Sequence, residues 1–293
     1  MQLGMVRIDG APRFALLDRD DVRLEATPDL LPTDMDEALT LRLDDLRDRV
    51  DRATRGSLRS IRRRAADALA PLGTEQEVWA AGVTYWRSLE ARTAESDQRS
   101  VYDLVYEAER PELFFKALPR RVAGPGEDVG IRADSTWNVP EPELTLAVNA
   151  HAEIVGYTLG NDVSSRSIEG ANPLYLPQAK SYERSCAIGP AIAPAWEVPD
   201  PRGLTISLTI RRRGTPAYAA EVSVGAMRRG LQDLVDHLFT ALRFPHGVFL
   251  LTGTGIVPPD DFTLEPDDEV RIAADPIGEL VNTVVVIEAM QRR

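Results

Sequence analysis

The chain has 293 residues, of which 43% are hydrophobic and 27% are charged, as in an ordinary water-soluble globular protein. Its 46 acidic and 34 basic residues give a net charge of −12, which argues against general affinity for nucleic acid or for anionic membranes. The one cysteine excludes an intramolecular disulfide, and no apolar run reaches the ~18–20 residues that span a bilayer. No secretory signal is visible, so we expect a cytoplasmic protein with no membrane partner.

The first 72 residues predict a small α+β unit. Val6–Ile8 and Phe14–Leu17 flank an Asp9-Gly10 turn signal, which indicates a β-hairpin. Thr33 is a candidate cap for a helix over residues 34–55, and a second helical stretch is expected to end near Leu72.

From Glu77 onward the pattern changes to short strand-like runs, and helices are expected only over 88–110 and 230–243. We therefore predict an α+β, mostly β fold, with domains at 1–72 and 73–293 and a β-rich roll or sandwich in the larger one. The predicted strands are 78–84, 113–117, 144–148, 154–159, 204–210, 220–224, 248–251, 270–273 and 280–287.

Glu141 and Glu143 lie two apart in an apolar run, so in a strand both carboxylates project from one face. The flanking prolines place them at a strand start or edge, because proline cannot donate to a ladder. Adjacent carboxylates repel unless they share a proton or a cation, and hard oxygen ligands suit Mg²⁺, Mn²⁺ or Ca²⁺. Spacing alone favours an exposed acidic strand start without a ligand. Asp162, at the end of a second apolar strand, shifts the balance towards a metal site.

Lysine is rare in this chain, since 32 of the 34 basic residues are arginine and only Lys116 and Lys180 are lysine. An isolated lysine marks a candidate site for a compact ammonium that can lose a proton. A coding bias towards arginine that left lysine at two positions explains the same pattern equally well.

Glu-x-Glu at 141–143, Gly-Asn-Asp-Val-Ser-x-Arg at 160–166, Lys180 and Gly189-Pro190 follow one another in an order that resembles the fumarylacetoacetate hydrolase superfamily. The resemblance runs from Ala81 to Ile287. It implies a β-sandwich roll in which Glu141, Glu143 and Asp162 bind Mg²⁺ or Mn²⁺ and Lys180 borders the metal. It also implies a substrate that is a 2-oxo acid or a 1,3-dicarbonyl.

The sequence departs from the hydrolytic members, which carry a water-activating His-Glu dyad. Ser88 stands at the His position and Ala91 at the Glu position. Together with the Pro-Glu-Leu-Phe-Phe-Lys segment, this resembles the branch of 2-keto-3-deoxy acid dehydratases, and it implies that Glu112 and Lys180 are the acid/base pair. The implied substrate-binding positions are Thr84, Ser88, Arg166, Tyr175, Thr252, Gly253 and Thr254.

The predicted activity is therefore metal-dependent dehydration of a 2-keto-3-deoxy acid of the D-arabinonate type to 2,5-dioxopentanoate, with the metal as a Lewis acid. The alternatives are an acylpyruvate-type C–C hydrolase or oxaloacetate decarboxylase of the same superfamily, and a non-catalytic 2-oxo acid binding protein. A homodimer or homotetramer is expected from the resemblance, and nucleic acid is not expected as a partner.

Overall fold

The computed structural model describes residues 1–25, 30–56, 58–63, 66–86 and 105–288. Strands dominate this part of the chain, and no helix in it is long and apolar enough to cross a membrane. The α-helices are α1 (Met35–Ala38), α2 (Leu43–Arg55), α3 (Arg166–Ala171), α4 (Leu176–Lys180) and α5 (Leu231–Phe239). The strands are β1 (Gln2–Ile8), β2 (Ala11–Leu17), β3 (Asp21–Glu25), β4 (Leu58–Arg62), β5 (Asp67–Leu69), β6 (Glu77–Gly82), β7 (Glu112–Ala117), β8 (Val122–Ala123), β9 (Asp128–Arg132), β10 (Asn138–Val139), β11 (Pro142–Val148), β12 (Ile154–Asp162), β13 (Ser164–Ser165), β14 (Cys186–Pro194), β15 (Thr205–Arg212), β16 (Thr215–Ser223), β17 (Val248–Leu251), β18 (Glu269–Ala274) and β19 (Gly278–Ile287).

The N-terminal hairpin forms as predicted. β1 and β2 pair antiparallel around Asp9 and Gly10, which both have positive φ, at 50° and 81°. Two successive residues with positive φ form the two-residue turn whose twist matches that of a hairpin, which is why Asp-Gly favours it.

The prediction of a second helix ending near Leu72 is wrong. β4 pairs with β3 and β5 pairs with β1, so the described residues on both sides of 64–65 extend the sheet. Pairing with strands that already exist satisfies the backbone groups of this segment, and this tertiary contact overrides a weak helical propensity.

The single helix expected over 34–55 is two helices. Asp34, rather than Thr33, caps α1 by accepting a hydrogen bond from the Glu37 backbone N–H at 2.8 Å. The chain then leaves the helical conformation at 39–42. There, Glu153 accepts from the Leu43 N–H at 2.8 Å and Asn149 donates to the Leu41 carbonyl at 2.9 Å, so contacts from a distant turn replace the helical hydrogen bonds.

The strands form two main sheets. The larger sheet runs β4-β3-β2-β1-β14-β12-β11-β17-β6-β7, and β5 and β8 pair at its sides. The smaller runs β16-β15-β18-β19-β9. The N-terminal strands join the larger sheet where Leu3 pairs with Ile192, and a domain boundary near residue 72 stays a prediction.

The main hydrophobic core lies between the two sheets. Leu144 and Leu159 of the larger sheet are fully buried in one cluster with Ile206, Ile272 and Leu280 of the smaller one. Burial of apolar faces between two sheets is what drives a sandwich, and the predicted mostly β sandwich fold is confirmed. The helix expected over 230–243 is α5, which ends earlier, at Phe239. Most of the helix expected over 88–110 lies outside the described residues.

Candidate active site

Three carboxylates converge at one end of the central strands β11 and β12. Glu141 precedes β11, Glu143 lies within it and Asp162 ends β12. One oxygen of each lies within 4.8 Å of the others, and the three residues are 4%, 1% and 1% exposed. The sequence predicted that the carboxylates of Glu141 and Glu143 project to the same side, and in the structure both reach one cluster, although Glu141 lies just before β11.

Strand pairing brings Asp162 to the two glutamates. Pro142 is opposite Asn161, the Asp162 N–H donates to the Glu141 carbonyl at 2.9 Å, and the Glu141 N–H donates to Asn161 Oδ1 at 3.2 Å. The glutamates stand at a strand start, as predicted, but β11 is a central strand with β12 and β17 on either side. The three carboxylates are therefore buried in the sheet rather than exposed at an edge.

Glu143 is a carboxylate in an unfavourable environment. Burial, and then the charges of Asp162 and Glu141, raise its pKa well above the usual range, while Lys180 and the Gly253 N–H act in the opposite direction. The Gly253 N–H donates to Glu143 Oε2 at 2.6 Å. Because a buried anion is costly without a compensating charge, this carboxylate calls for a cation or a proton.

Lys180 lies directly against the carboxylates. Its ammonium Nζ is 2.8 Å from Glu141 Oε2, 3.3 Å from Asp162 Oδ2 and 2.6 Å from Ser164 Oγ. The guanidinium of Arg166 is buried beside it, with Nη2 2.9 Å from Glu141 Oε1. Both residues were singled out from the sequence, and the fold brings both to the carboxylate cluster.

Lys116, the other lysine, is also in the site. Its Nζ forms an ion pair with Asp162 Oδ1 and donates to the Val163 carbonyl at 3.1 Å and the Lys180 carbonyl at 2.5 Å. Sequence reasoning noted its rarity but assigned it no role. The rarity of lysine was the signal that could have found it.

A narrow cleft, which we call the site cleft, opens onto the cluster; its cavity volume is about 10 Å³, which is room for about one water molecule. Glu112 lines it from β7 and packs against Gly82 so closely that a Cβ there would lie 2.0 Å from Glu112 Oε2. Glycine at this position therefore makes room for the carboxylate. The cleft is lined by Ala81, Gly82, Val83, Glu112, Phe114, Glu141, Asp162, Glu169, Leu176, Lys180, Gly253 and Thr254.

The fold distributes the predicted substrate-binding positions unevenly. Gly253 and Thr254 line the site cleft. Thr84 and Thr252 are buried, and neither lines the cleft. The Thr84 hydroxyl donates to the Thr252 carbonyl at 2.7 Å, and the Thr252 hydroxyl donates to the Leu144 carbonyl at 2.8 Å, so both hydroxyls make structural hydrogen bonds. Tyr175 is 45% exposed and does not line the cleft, and Ser88 lies outside the described residues.

Other reactive side chains are remote from the reaction centre or inert. The three histidines all lie outside the cleft lining; His151, for example, has its Nε2 3.1 Å from the Thr40 carbonyl. Cys186 pairs with Asp162 across β14 and β12, but burial raises the pKa of its thiol to about 12. Burial, together with the charge of Glu143, likewise raises the pKa of Tyr85. The described residues thus offer neither a histidine base nor a thiolate nucleophile at this site.

The donor set of the cluster fits a divalent cation. Among the described residues, Glu141, Glu143 and Asp162 each bring one carboxylate oxygen within 4.8 Å of the others, so a cation there would be held by carboxylate oxygens. An all-oxygen donor set of carboxylates suits Mg²⁺, Mn²⁺ or Ca²⁺ rather than a soft metal.

Comparison with known proteins identifies the class to which this fold and site belong. The model of the fumarylacetoacetate (FAA) hydrolase C-terminal family matches residues 77–285, and the chain belongs to this family. Within it, the chain is 48% identical over 75% of both chains to a probable 2-keto-3-deoxyxylonate dehydratase of Haloferax volcanii. It is 41% identical over 71% of both chains to a 2-dehydro-3-deoxy-D-arabinonate dehydratase of Saccharolobus solfataricus.

A solved structure resembles the whole chain. It is a 2-keto-3-deoxy-D-arabinonate dehydratase complexed with magnesium and 2,5-dioxopentanoate, with a TM-score of 0.81 and 32% identity. The match covers 99% of this chain and 100% of that one. The similarity therefore includes the N-terminal strands as well as the residues that surround the carboxylate cluster.

Proposed function

We propose that this chain is a Mg²⁺-dependent dehydratase that converts a five-carbon 2-keto-3-deoxy sugar acid into 2,5-dioxopentanoate. The observation that carries the proposal is the presence of Glu112 and Lys180 in one narrow cleft with three buried carboxylates. Two dehydratase relatives at 41% and 48% identity, and a similar structure with magnesium and this product, support it.

The elimination of water requires two proton transfers at neighbouring carbons, one from C3 and one to the C4 hydroxyl. A proton leaves C3, which is acidified by the 2-oxo group, and the C4 hydroxyl then leaves as water after gaining a proton. Loss of a C5 proton and tautomerisation give the C5 aldehyde, so the substrate loses one water and no redox cofactor is needed. Mg²⁺ held by Glu141, Glu143 and Asp162 supplies a Lewis acid that polarises the 2-oxo oxygen.

The hydrogen bonds of Lys180 support its assignment as the acid. Its Nζ faces three acceptors, on Glu141, Asp162 and Ser164, which together accommodate all three protons of an ammonium. We assign Lys180 as the acid that protonates the leaving hydroxyl, and Glu112 as the base that removes the C3 proton. A carboxylate and an ammonium that share a cleft can perform both transfers without a third group.

The same cleft disfavours the hydrolytic alternative. C–C hydrolysis needs an activated water, and no histidine lines the cleft among the described residues. Dehydration instead produces water, and a cleft with little empty space suits a reaction in which bulk water must be excluded.

The decisive experiment is a panel of 2-keto-3-deoxy acids incubated with the protein and Mg²⁺, with aldehyde formation as the readout. Acylpyruvates and oxaloacetate serve as controls for hydrolase and decarboxylase activity. We expect aldehyde formation that stops on addition of a chelator and resumes on addition of Mg²⁺. Release of pyruvate or CO₂ from the controls, at rates comparable to aldehyde formation, would favour the hydrolase or decarboxylase hypothesis. Metal-dependent binding without turnover would favour a binding protein.

We also propose a cytoplasmic homodimer or homotetramer. The apolar strand β19 suits a symmetric interface by its composition, but it is paired on both sides, by β18 and β9, and Leu280 and Val284 are buried in the core of the chain itself. An interface would therefore use side chains that the core leaves exposed, such as Val286 near the end of the same strand. A monomer mass by light scattering at micromolar concentration would contradict the proposed assembly.

A further inference from the structure

Each carboxylate of the proposed metal site is held by donors from the protein, and Lys180, which lines the site cleft, contacts Glu141 Oε2 and Asp162 Oδ2. The Gly253 N–H holds Glu143 Oε2 at 2.6 Å, and the guanidinium of Arg166 contacts Glu141 Oε1 at 2.9 Å. A carboxylate with one oxygen engaged in this way binds a metal more readily through its other oxygen alone than through both oxygens. The way in which each carboxylate is held therefore influences how many oxygens a metal can collect.

For Asp162 the donor is Lys116. The Lys116 ammonium contacts Oδ1, whereas Oδ2 faces the Lys180 side of the cluster, where Nζ lies 3.3 Å away. The two oxygens of Asp162 therefore face different cations, and only Oδ2 is on the side of Lys180 and Glu141.

Lys116 is fixed in this position. Its Nζ lies against Asp162 Oδ1 and donates to the carbonyls of Val163 and Lys180. Its side chain is fully buried and does not line the site cleft, whereas Lys180 does. An ammonium that has no exposed surface and is held by two backbone carbonyls cannot readily leave Oδ1 when a metal arrives.

We propose that Lys116 is a specificity-determining residue for the metal. By occupying Oδ1, it restricts Asp162 to a single ligand oxygen and so favours a small six-coordinate ion over Ca²⁺. Ca²⁺ takes six to eight oxygens and readily accepts both oxygens of a carboxylate, whereas Mg²⁺ requires a near-octahedral set of six. The inference rests on the metal site of the proposed function, and it adds that this site binds Ca²⁺ less tightly than Mg²⁺.

Charge and denticity must be separated in any test. Removing a buried cation beside a metal ligand removes its repulsion of the metal, and so strengthens the binding of every divalent ion. The gain is the same for Mg²⁺ and Ca²⁺, because the two ions carry the same charge. Freeing Oδ1 favours Ca²⁺ alone. The ratio of the two dissociation constants therefore cancels the charge effect and reports denticity.

The experiment is isothermal titration of the full chain, freed of metal, with Mg²⁺ and separately with Ca²⁺. The variants are Lys116→Met, which keeps the apolar stem and removes the ammonium, and Lys116→Arg, which keeps a cation beside Asp162 Oδ1, as the matched control. We expect Lys116→Met to shift the ratio towards Ca²⁺ by roughly tenfold or more, within the 10–100-fold range typical of groups that orient metal ligands, and Lys116→Arg to leave the ratio near that of the parent.

Two results would overturn the inference: an unchanged ratio in Lys116→Met, or an equal shift in Lys116→Met and Lys116→Arg, which would mean that a cation beside Oδ1 does not control the ratio. If Lys116→Met does not fold, the parent protein still decides the question, because tighter binding of Ca²⁺ than of Mg²⁺ contradicts a site that holds Asp162 to one oxygen. A parent that binds neither ion would instead refute the metal site of the proposed function.

Discussion

Replacing Glu143 with glutamine should have opposite effects on the protein with and without metal. Burial and the charges of Asp162 and Glu141 raise the pKa of Glu143 in the folded protein, whereas the unfolded chain has the ordinary value of 4.5. The folded state therefore binds more protons than the unfolded state above about pH 4.5, and stability falls as the pH rises through the raised pKa. Glutamine carries no charge, so we expect the metal-free variant to be at least as stable as the parent at pH 8.

In the presence of Mg²⁺ the order reverses. A ligand at 100 times its Kd stabilises the folded state by about 2.7 kcal/mol. At about 2.1 cal/mol/K per residue, the 293 residues have an unfolding entropy of about 0.6 kcal/mol/K. Saturating Mg²⁺ should therefore raise the Tm of the parent by about 4 °C. The variant should lose most of this gain, because a neutral amide replaces a charged ligand oxygen.

The assay is thermal unfolding followed by circular dichroism at pH 8, with chelator and with Mg²⁺. Glu221→Gln, on the exposed face of β16, is the matched control and should retain the full gain. If Glu143→Gln gained as much from Mg²⁺ as the parent, Glu143 would not be a metal ligand. A metal-free variant much less stable than the parent would show that the Gly253 hydrogen bond outweighs the burial of the charge.

Three further substitutions test the proton-transfer pair. Lys180→Arg keeps the positive charge but cannot lose its proton, so kcat should fall by ~10²–10⁴-fold; near-parental kcat would remove Lys180 from proton transfer. Glu112→Gln should lower kcat to a similar degree while the Mg²⁺ affinity measured by titration stays unchanged, and a loss of Mg²⁺ binding would instead make Glu112 a ligand. Gly82→Ala places a methyl 2.0 Å from Glu112 Oε2 and should lower kcat by displacing that flexible side chain. Gly230→Ala is the control and should be neutral, because no neighbouring atom would lie nearer than 3.6 Å to the added methyl. Equal activity in the two variants would contradict the position of Glu112.

Most of the strands could be predicted from sequence because their signals are local. The Asp9-Gly10 turn specifies a hairpin, and apolar runs such as 144–148 and 248–251 become strands buried along their whole length. The segments predicted wrongly have weak local sequence signals, and their backbones form hydrogen bonds with residues that are distant in sequence. Leu58–Arg62 and Asp67–Leu69 became strands because β3 and β1 pair with them, and the helix expected over 34–55 broke where Asn149 and Glu153 bind its backbone.

The candidate site divides in the same way. Glu141 and Glu143 could be paired from sequence, because residues two apart in a strand share a face whatever surrounds them. The contact of Lys116 with Asp162 could not, because it joins β7 to the end of β12, strands that are not neighbours in the sheet. The sequence by itself determined which side chains could bind a hard cation and move a proton. Only the tertiary structure decided which oxygen of each carboxylate is held, because that depends on donors brought from other strands and loops to within a hydrogen bond of it.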